Sequence, residues 1–184
     1  MEAVLLRRAF WVLNKFLMVP MIRLGLLPFM GTPVSGWVMM LTTTGHKTGK
    51  RRFTPVNYAL INGDIYCLAG FGQRAHWYRN IQADARVEAW LPSRPVAGRA
   101  EEVADPDERL RAVRQILRNS GFATFLFSGI NPFRLPDDRL REKVEDYCVI
   151  RIRPNGVGSG VGDPGGLLWV WWVAAIVALV IILR

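Results

Sequence analysis

A basic turn bounded by two glycines constrains this chain more than any other sequence feature. An apolar, β-branched run enters the turn from Trp37, and an alternating apolar run leaves it toward Ile61. These patterns predict two strands joined by a turn. Gly45 and Gly49 allow positive φ and close approach of the backbone to a ligand. The turn contains the side chains of His46, Lys47, Lys50, Arg51 and Arg52.

This basic turn has the composition of an anion site. Guanidinium and ammonium groups make charge-assisted bonds to phosphate, while hydroxyls from residues 42–44 and Thr48, together with loop amides, fill the remaining acceptor sites. The turn is not a Walker loop, which needs its lysine directly at a helix start. The residues alone leave open a second interpretation, a solvated basic hairpin turn that binds nothing.

The charge balance narrows the range of partners. The chain has 24 Lys and Arg residues against 15 Asp and Glu residues, a net charge of +9. Such an excess favours nucleic acid, an anionic membrane surface or a phosphorylated cofactor. No helix-turn-helix, finger or stacking motif accompanies the charge, so we expect no nucleic acid partner. Cys67 and Cys148 lie in apolar strand-like runs, which predicts free, packed thiols in a reducing compartment and no metal site.

Short elements with clear boundaries follow the basic turn. Asn62-Gly63 is a hairpin signal, and Asp105, Pro106 and Glu108 form the start of a helix that runs to about Asn119. The predicted strands are Ile65 to Ala69, Arg86 to Leu91, Val96 to Val103 and Tyr147 to Ile152, and the predicted short helix runs from His76 to Gln82. The aromatic stretch from Gly121 to Asp138 is either a substrate pocket wall, a lid or ordinary core.

Both ends of the chain are apolar. Residues 4–17 place apolar side chains on one side of a helical wheel and basic or polar ones on the other, which predicts an amphipathic helix that stops near Pro20. Such a helix suits either a lipid headgroup layer or the domain's own barrel. Residues 167–183 are uninterrupted apolar residues with three tryptophans at their start. They predict a single transmembrane anchor at the cell membrane, with the basic domain on the cytoplasmic side.

Two sequence blocks resemble the deazaflavin-dependent nitroreductase family, which binds coenzyme F420 in a split β-barrel. They are Leu41-Thr42-Thr43-Thr44-Gly45-x-Lys47-Thr48-Gly49 with Arg52 and Pro55, and Trp77-Tyr78-x-Asn80 with Ala83-Asp84-x-Arg86-Val87. The resemblance spans roughly residues 37–103. It implies an α+β, mainly β, split barrel of the FMN- and F420-binding type with flanking helices, to which we add the C-terminal transmembrane helix. The expected division is 1–30 amphipathic helix, 31–153 barrel, 154–166 glycine-rich linker and 167–184 anchor.

The resemblance also implies a set of cofactor-binding residues. The phosphate and acidic tail would be held by Lys47, Thr48 and Arg52, with His46 close by. The deazaflavin ring would lie along the backbone of Thr54, Pro55, Val56 and Asn57 and of Leu68, Ala69, Gly70 and Phe71. The pocket would be completed by His76, Trp77 and Asn80. The family commonly has serine and lysine where this chain has Gly70 and Phe71.

The implied activity is a membrane-anchored, F420-dependent reductase. Reduced deazaflavin would pass a hydride to a quinone-like, nitro or other unsaturated acceptor, for which menaquinone is a candidate. A side chain or water would deliver the proton, and the candidate side chains are Tyr58, His76 and Tyr78. Other open interpretations are a non-catalytic accessory barrel of a membrane complex and a barrel that binds FMN or haem. Membrane lipid, membrane proteins and a second copy of the chain are further possible partners.

Overall fold

The fold is a closed barrel of six antiparallel strands with helices on its outside and at one end. The computed structural model describes residues 12–29, 36–121, 131–160 and 166–182. The strands are β1 (Val38–Thr44), β2 (Arg51–Ile61), β3 (Asp64–Ala69), β4 (Arg86–Trp90), β5 (Pro95–Glu102) and β6 (Cys148–Val157). They close in the order β1, β2, β3, β6, β5, β4, with β4 paired back onto β1. The helices are α1 (Val19–Arg23), α2 (His76–Ala83), α3 (Pro106–Asn119), α4 (Asp137–Lys143) and α5 (Trp169–Ile182).

The strand and helix predictions between residues 37 and 119 are confirmed to within a few residues. Asn62 and Gly63 both have positive φ at the β2–β3 hairpin. Asp105 caps α3 through its carboxylate, which accepts a 2.6 Å bond from the Glu108 amide. The last strand is longer than predicted, because β6 continues to Val157 through residues assigned to the linker and pairs there with β5.

Three groups of apolar side chains hold these elements together. Inside the barrel, alternate residues of the strands pack with Trp77, Tyr78 and Ile81 of α2, so that α2 closes one end. Outside, α3 and α4 pack on β2, β3 and β6. Cys67 and Cys148 are both free and buried in the barrel interior. Burial raises the pKa of the Cys67 thiol to about 12, so it stays protonated and packs as a small hydrophobe.

The barrel is closed around its circumference, but β2 and β3 separate at one end of it. The two strands pair only from Tyr58 to Ile61, although β2 begins seven residues before Tyr58, at Arg51. The end of β3, Leu68 and Ala69, pairs instead with β6 on its other side. The first half of β2 therefore has β1 on one side and an unpaired edge on the other. We call this the open edge, residues 53–57 of β2.

The N-terminal helical segment packs on the barrel. Helical turns run from residue 12 through α1, past the predicted stop at Pro20, because proline is accommodated in the first turn of α1. Ile22 is fully buried and packs with Val38, Met40 and Trp90. Before α1, the side chains of Val12, Leu13, Phe16 and Leu17 are exposed. Residues 1–11 lie outside the described part of the chain.

The prediction of a C-terminal transmembrane helix, and with it a single-pass location in the cell membrane, is wrong. The C-terminal helix α5 has 14 residues, which at 1.5 Å per residue spans about 21 Å, less than the ~30 Å of a hydrocarbon core. Among the described residues, no helix has the length and apolarity needed to cross a membrane. The apolar run does not become one long helix, because helical structure begins only at Trp169 and Leu167 donates its amide to the Arg23 carbonyl.

Candidate functional site

The basic turn is closed by its own backbone. The Gly45 amide donates to the Lys50 carbonyl at 2.9 Å, and the Gly45 carbonyl accepts from the amides of Thr48 and Gly49 at 3.0 and 2.8 Å. Gly49 has a φ of +63°, which favours glycine at this position. Most amides of the turn are therefore already bonded. The turn therefore offers an anion its side-chain cations and the Thr48 hydroxyl, as the sequence suggested, but few of the loop amides that were expected as further donors.

A buried asparagine joins the basic turn to α2. Asn80 is 4% exposed and Thr43 is 2% exposed. The Asn80 side-chain amide donates to the Thr43 hydroxyl at 3.0 Å. Its oxygen lies 3.1 Å from the His46 main-chain nitrogen and 2.8 Å from His46 Nδ1. This network explains why the two sequence blocks of the resemblance lie together in space.

The cations of the turn divide into two groups. Arg51 is paired with Glu88 at 2.9 Å and also donates to the Ser159 hydroxyl at 3.0 Å. Arg52 donates to the Thr48 hydroxyl at 3.2 Å. Within the described ranges, none of Lys47, Lys50 and Arg52 is paired with a carboxylate. Three exposed positive charges thus remain for a ligand, while Arg51 is used by the fold.

Thr48, Lys50 and Arg52 pack so closely over Gly45 that no side chain fits at this position without displacing them. A Cβ atom at Gly45 would lie 2.9 Å from Thr48 Oγ1, 3.1 Å from the Lys50 carbonyl oxygen and 3.2 Å from Arg52 Nε. The hydroxyl and the guanidinium therefore lie side by side over Gly45, and we call this pair of donors the cradle. The donors of this cradle fit the phosphate of a cofactor, which accepts both kinds of hydrogen bond.

The open edge begins directly after the basic turn, and its main-chain groups point alternately to its two sides. The Tyr58 amide donates to the Trp37 carbonyl, on the β1 side. Because main-chain groups alternate along an antiparallel strand, those of Asn57 and Pro55 point to the opposite side, where β3 has diverged. Proline suits an open edge, since it has no N–H to leave unpaired. The predicted ring-lining residues 54–57 and 68–71 therefore lie on the two sides of the opening.

The other predicted site residues differ in how far they are buried. Trp77 and Tyr58 are 9% and 5% exposed and belong to the barrel interior. Burial raises the pKa of the Tyr58 phenol. His76 is exposed at the start of α2. The assignment of these residues to cofactor binding or proton transfer stays a prediction. The aromatic residues at 122–130, proposed as a pocket wall or lid, lie outside the described residues, and Phe133 is exposed.

A cleft of about 1090 Å³ lies beside the end of β3. From the predicted site it includes Gly70, Phe71 and Tyr78, whereas the cations of the basic turn are not part of its lining. The other walls come from the loop after β3, the end of β5, α3 and the segment before β6. The lining residues are Gly70, Phe71, Gly72, Gln73, Arg74, Tyr78, Arg79, Glu102, Val103, Arg109, Glu145, Asp146, Tyr147 and Cys148.

Glu102 is the residue of this cleft that sequence reasoning missed. It ends β5 and accepts a 2.6 Å hydrogen bond from the Tyr78 phenol. Burial and this hydrogen bond to a carboxylate raise the pKa of Tyr78. Burial and Glu102 also raise the pKa of the Cys148 thiol. A lone glutamate at the end of a strand carries no sequence signal, because the contact depends on how α2 closes the barrel. Among the described residues, no group of His, Cys, Asp and Glu is arranged to hold a metal ion.

The sequence matches a known family over more than half of its length. The model of the family described as F420H(2)-dependent quinone reductase matches residues 27–123 of the 184-residue chain. The matched region contains the basic turn, the open edge, α2 and α3. No curated protein matches the chain.

Solved structures resemble the barrel at low sequence identity. A candidate 5-nitroimidazole antibiotic resistance protein from Bacteroides thetaiotaomicron is 14% identical, with 65% of this chain and 74% of that chain covered and a TM-score of 0.48. A protein described as F420 reductase is 20% identical, with 70% and 92% covered and a TM-score of 0.46. The haem storage protein HutZ from Vibrio cholerae is 13% identical, with 68% and 89% covered and a TM-score of 0.45.

Proposed function

The chain belongs to the F420H(2)-dependent quinone reductase family, and from this premise we propose that it binds coenzyme F420 and reduces a quinone-like, nitro or other unsaturated acceptor. The observation that carries the proposal is the group of uncommitted cations at the end of the open edge. Lys47, Lys50 and Arg52 supply positive charge, and the cradle supplies a hydroxyl and a guanidinium side by side. An anionic tail and a planar ring need cations at one end and close backbone along the other.

Each part of the site has a separate role in this proposal. Lys47 and Arg52 bind the phosphate and the acidic tail, with the Thr48 hydroxyl as a further donor. The main-chain carbonyls of Pro55 and Asn57 face the opening and accept hydrogen bonds from a ring placed there. When bound, the reduced deazaflavin would supply a hydride, that is, a proton together with two electrons. The protein supplies orientation and charge, and water in the open cleft supplies the proton that completes the reduction.

The cleft is the proposed place of the acceptor. Its volume of about 1090 Å³ accommodates a ligand of drug size. Its lining residues Gly70 and Phe71 directly follow the end of β3, which forms one side of the opening in which the ring would lie. Phe71 is 40% exposed and offers a flat apolar surface. A planar acceptor such as a naphthoquinone fits this combination of an aromatic wall and polar rim.

The cofactor proposal is tested by titration of the full-length protein with three ligands in parallel. Quenching of deazaflavin fluorescence gives the Kd for coenzyme F420, and absorbance titrations give those for FMN and haem. Arg52→Gln should weaken F420 binding by about tenfold or more, since a bond to a charged group contributes about 1.5–3 kcal/mol. Arg51→Gln is the matched control, because Arg51 is already paired with Glu88, and its Kd should stay within about twofold of the wild type.

The outcomes separate the candidate functions. Saturable F420 binding that is lost in Arg52→Gln and kept in Arg51→Gln supports the proposal. Tighter binding of FMN or haem overturns the cofactor assignment, and binding of none of the three leaves a non-catalytic barrel. The acceptor is tested separately with the reduced cofactor and a menaquinone analogue. If the reduced cofactor and the menaquinone analogue both remain unchanged in the absence of oxygen, the quinone is ruled out and the search turns to nitro compounds and other unsaturated acceptors.

A further inference from the structure

One wall of the cleft is a tight turn between α4 and β6. The turn, residues 144–147, is closed by a 3.0 Å hydrogen bond from the Tyr147 amide to the Val144 carbonyl. Its last three residues line the cleft, as does Cys148, the first residue of β6. We call residues 144–148 the turn wall. The shape of the cleft on this side depends on what holds the turn wall in place.

A single arginine of α3, Arg109, binds three carbonyls of the turn wall. Its Nη2 atom lies 3.0 Å from the carbonyl oxygen of Val144, 2.5 Å from that of Glu145 and 2.7 Å from that of Tyr147. A guanidinium is always charged, so its hydrogen bonds to carbonyls are charge-assisted. Carbonyls in a partly buried turn need donors. Arg109 supplies donors that the turn does not have itself.

The remaining carbonyl of the turn packs on the loop after β3. A Cβ atom at Gly72 would lie 2.5 Å from the Asp146 carbonyl oxygen, so the two main chains are in direct contact. Gly72 is buried, has a φ of +53° and follows Phe71 in the lining of the cleft. A shift of the turn wall would therefore also remove support from the loop that carries Phe71, the aromatic side chain proposed to face the acceptor.

A second arginine of α3 binds the other end of α4. Arg114 donates to the carbonyls of Pro132 and Leu135 at 2.9 Å each and pairs with the Asp137 carboxylate. Both arginines thus attach α4 to α3, Arg114 at its beginning and Arg109 after its end. Of the two, Arg109 alone belongs to the lining of the cleft. Comparing them separates an effect on the cleft from an effect on the packing of α4.

We propose that Arg109 is a positioning residue for the cleft, because its guanidinium holds the turn wall in the conformation that a ligand meets. Arg109 acts through the wall and not on the reacting atoms. The identity of that ligand as an electron acceptor rests on the proposed function, whereas the hold on the wall does not. Without Arg109 the three carbonyls bond to water, and the wall gains conformations that binding of a ligand must remove again.

The hold on the wall is measured with the two thiols of the chain, Cys148 in the turn wall and Cys67 in the barrel interior. Both are buried and should react slowly with iodoacetamide, followed by mass spectrometry of the labelled peptides. Arg109→Met removes the donors and should speed labelling of Cys148 by about tenfold or more, with Cys67 still protected. Arg114→Met is the matched control and should leave both thiols protected. Arg109→Lys keeps a charged donor and should restore part of the protection of Cys148.

The effect on the acceptor is measured with the full-length protein, reduced coenzyme F420 and 2,3-dimethyl-1,4-naphthoquinone in the absence of oxygen. This quinone is planar and has no free position on its quinone ring for addition of a thiol. Arg109→Met should raise the acceptor KM by about tenfold or more. Its kcat and its Kd for F420 should stay within about twofold of the wild type, because the wall contacts the acceptor before and during hydride transfer alike. Arg114→Met should leave all three values within about twofold.

The inference is overturned if Cys148 reacts at the wild-type rate in Arg109→Met, or if Arg114→Met exposes it equally. It is also overturned if the acceptor KM rises no more in Arg109→Met than in Arg114→Met. Joint labelling of both thiols in Arg109→Met would mean that this variant has lost the whole fold, and Arg109→Lys then decides. Faster labelling of Cys148 alone in Arg109→Lys supports the inference, and labelling of both thiols or of neither overturns it.

The two kinds of measurement also keep this inference distinct from the proposed function. If the wild type reduces no acceptor and Arg109→Met still exposes Cys148 alone, the proposed function fails and the hold of Arg109 on the turn wall stands. If the wild type reduces the quinone and Arg109→Met changes neither the labelling nor the KM, the proposed function stands and the positioning role of Arg109 is wrong.

Discussion

The phenol of Tyr78 and the carboxylate of Glu102 are joined by a 2.6 Å hydrogen bond in the wall of the cleft. Tyr78 is 6% exposed and its phenol is the donor. Loss of its proton would place a phenolate beside a carboxylate in a buried position, which is costly. Burial and the carboxylate accordingly raise the pKa of Tyr78 above its ordinary value. The structure therefore favours Tyr78 as a group that keeps its proton rather than one that gives it to a substrate.

Tyr78→Phe should leave hydride transfer nearly unchanged in single-turnover measurements. If Tyr78 delivered the proton in the rate-determining step, its removal would lower the rate by about 10²–10⁴-fold.

Tyr78→Phe should also change the stability of the protein at alkaline pH. A pKa raised in the folded state contributes stability that is complete below the unfolded value of about 10 and is lost as pH rises toward the folded value. The wild type should lose stability more steeply than Tyr78→Phe above about pH 10. Urea unfolding at several pH values measures this difference. If the free energy of unfolding falls equally with pH in both proteins, or if Tyr78→Phe slows hydride transfer by about 10²-fold, the assignment is contradicted.

The barrel was predictable because its local signals agree with its tertiary contacts. The Asn62-Gly63 turn, the Asp105 cap and the apolar run of β2 each specify structure within a few residues, and the turn, the cap and the strand are all confirmed. The basic turn was recognisable for the same reason. The residues that the sequence suggested as a phosphate site do lie together, because the hairpin that carries them is local.

The contacts that the sequence did not reveal join residues distant along the chain. Glu102 meets Tyr78 and Asn80 meets His46 only after α2 closes the barrel end. Arg51 and Arg52 are neighbours in sequence, but they point to opposite faces of β2, so composition could not separate the structural cation from the available one. The prediction of a transmembrane helix at the C-terminal end was wrong because it took the whole apolar run as helical. The helix α5 contains only 14 residues of that run.

Gly45→Ala should weaken cofactor binding more than it weakens the fold. The new Cβ would lie 2.9 Å from Thr48 Oγ1 and 3.2 Å from Arg52 Nε, so both side chains must move away from residue 45 and the arrangement of the two donors changes. Gly49→Ala is the matched control. Its Cβ meets open space, but its φ of +63° makes alanine cost about 1 kcal/mol of stability. Fluorescence titration and urea unfolding of both variants should give a large rise in Kd for the first and mainly lower stability for the second. If Gly49→Ala raised the Kd more than Gly45→Ala does, the cradle would not be the place where the phosphate binds.

Asp105→Ala should lower the free energy of unfolding by about 1 kcal/mol through loss of the α3 N-cap. The Asp105 carboxylate accepts a 2.6 Å bond from the Glu108 amide. The side chain of Glu108 also accepts from Tyr66 and Arg151, at 2.7 Å in each case, and so ties the first turn of α3 to the barrel. Asp105→Asn keeps a capping oxygen and should recover most of the loss. Urea unfolding measures both variants, and equal stability of Asp105→Ala and the wild type would rule out the cap as a source of stability.

Ile22→Ala should lower the free energy of unfolding by about 2–4 kcal/mol, since large-to-small changes in a core cost this much. Ile22 is fully buried against Val38, Met40 and Trp90 on the outside of the barrel. Val12→Ala, at the exposed beginning of the same helical segment, is the comparison and should stay within about 0.5 kcal/mol of the wild type. Urea unfolding followed by tryptophan fluorescence reports both, because Trp90 lies in the affected cluster. If both variants are equally stable, α1 contributes nothing to the barrel and its apolar face serves another surface; if Ile22→Ala alone unfolds early, the N-terminal segment is part of the folded domain.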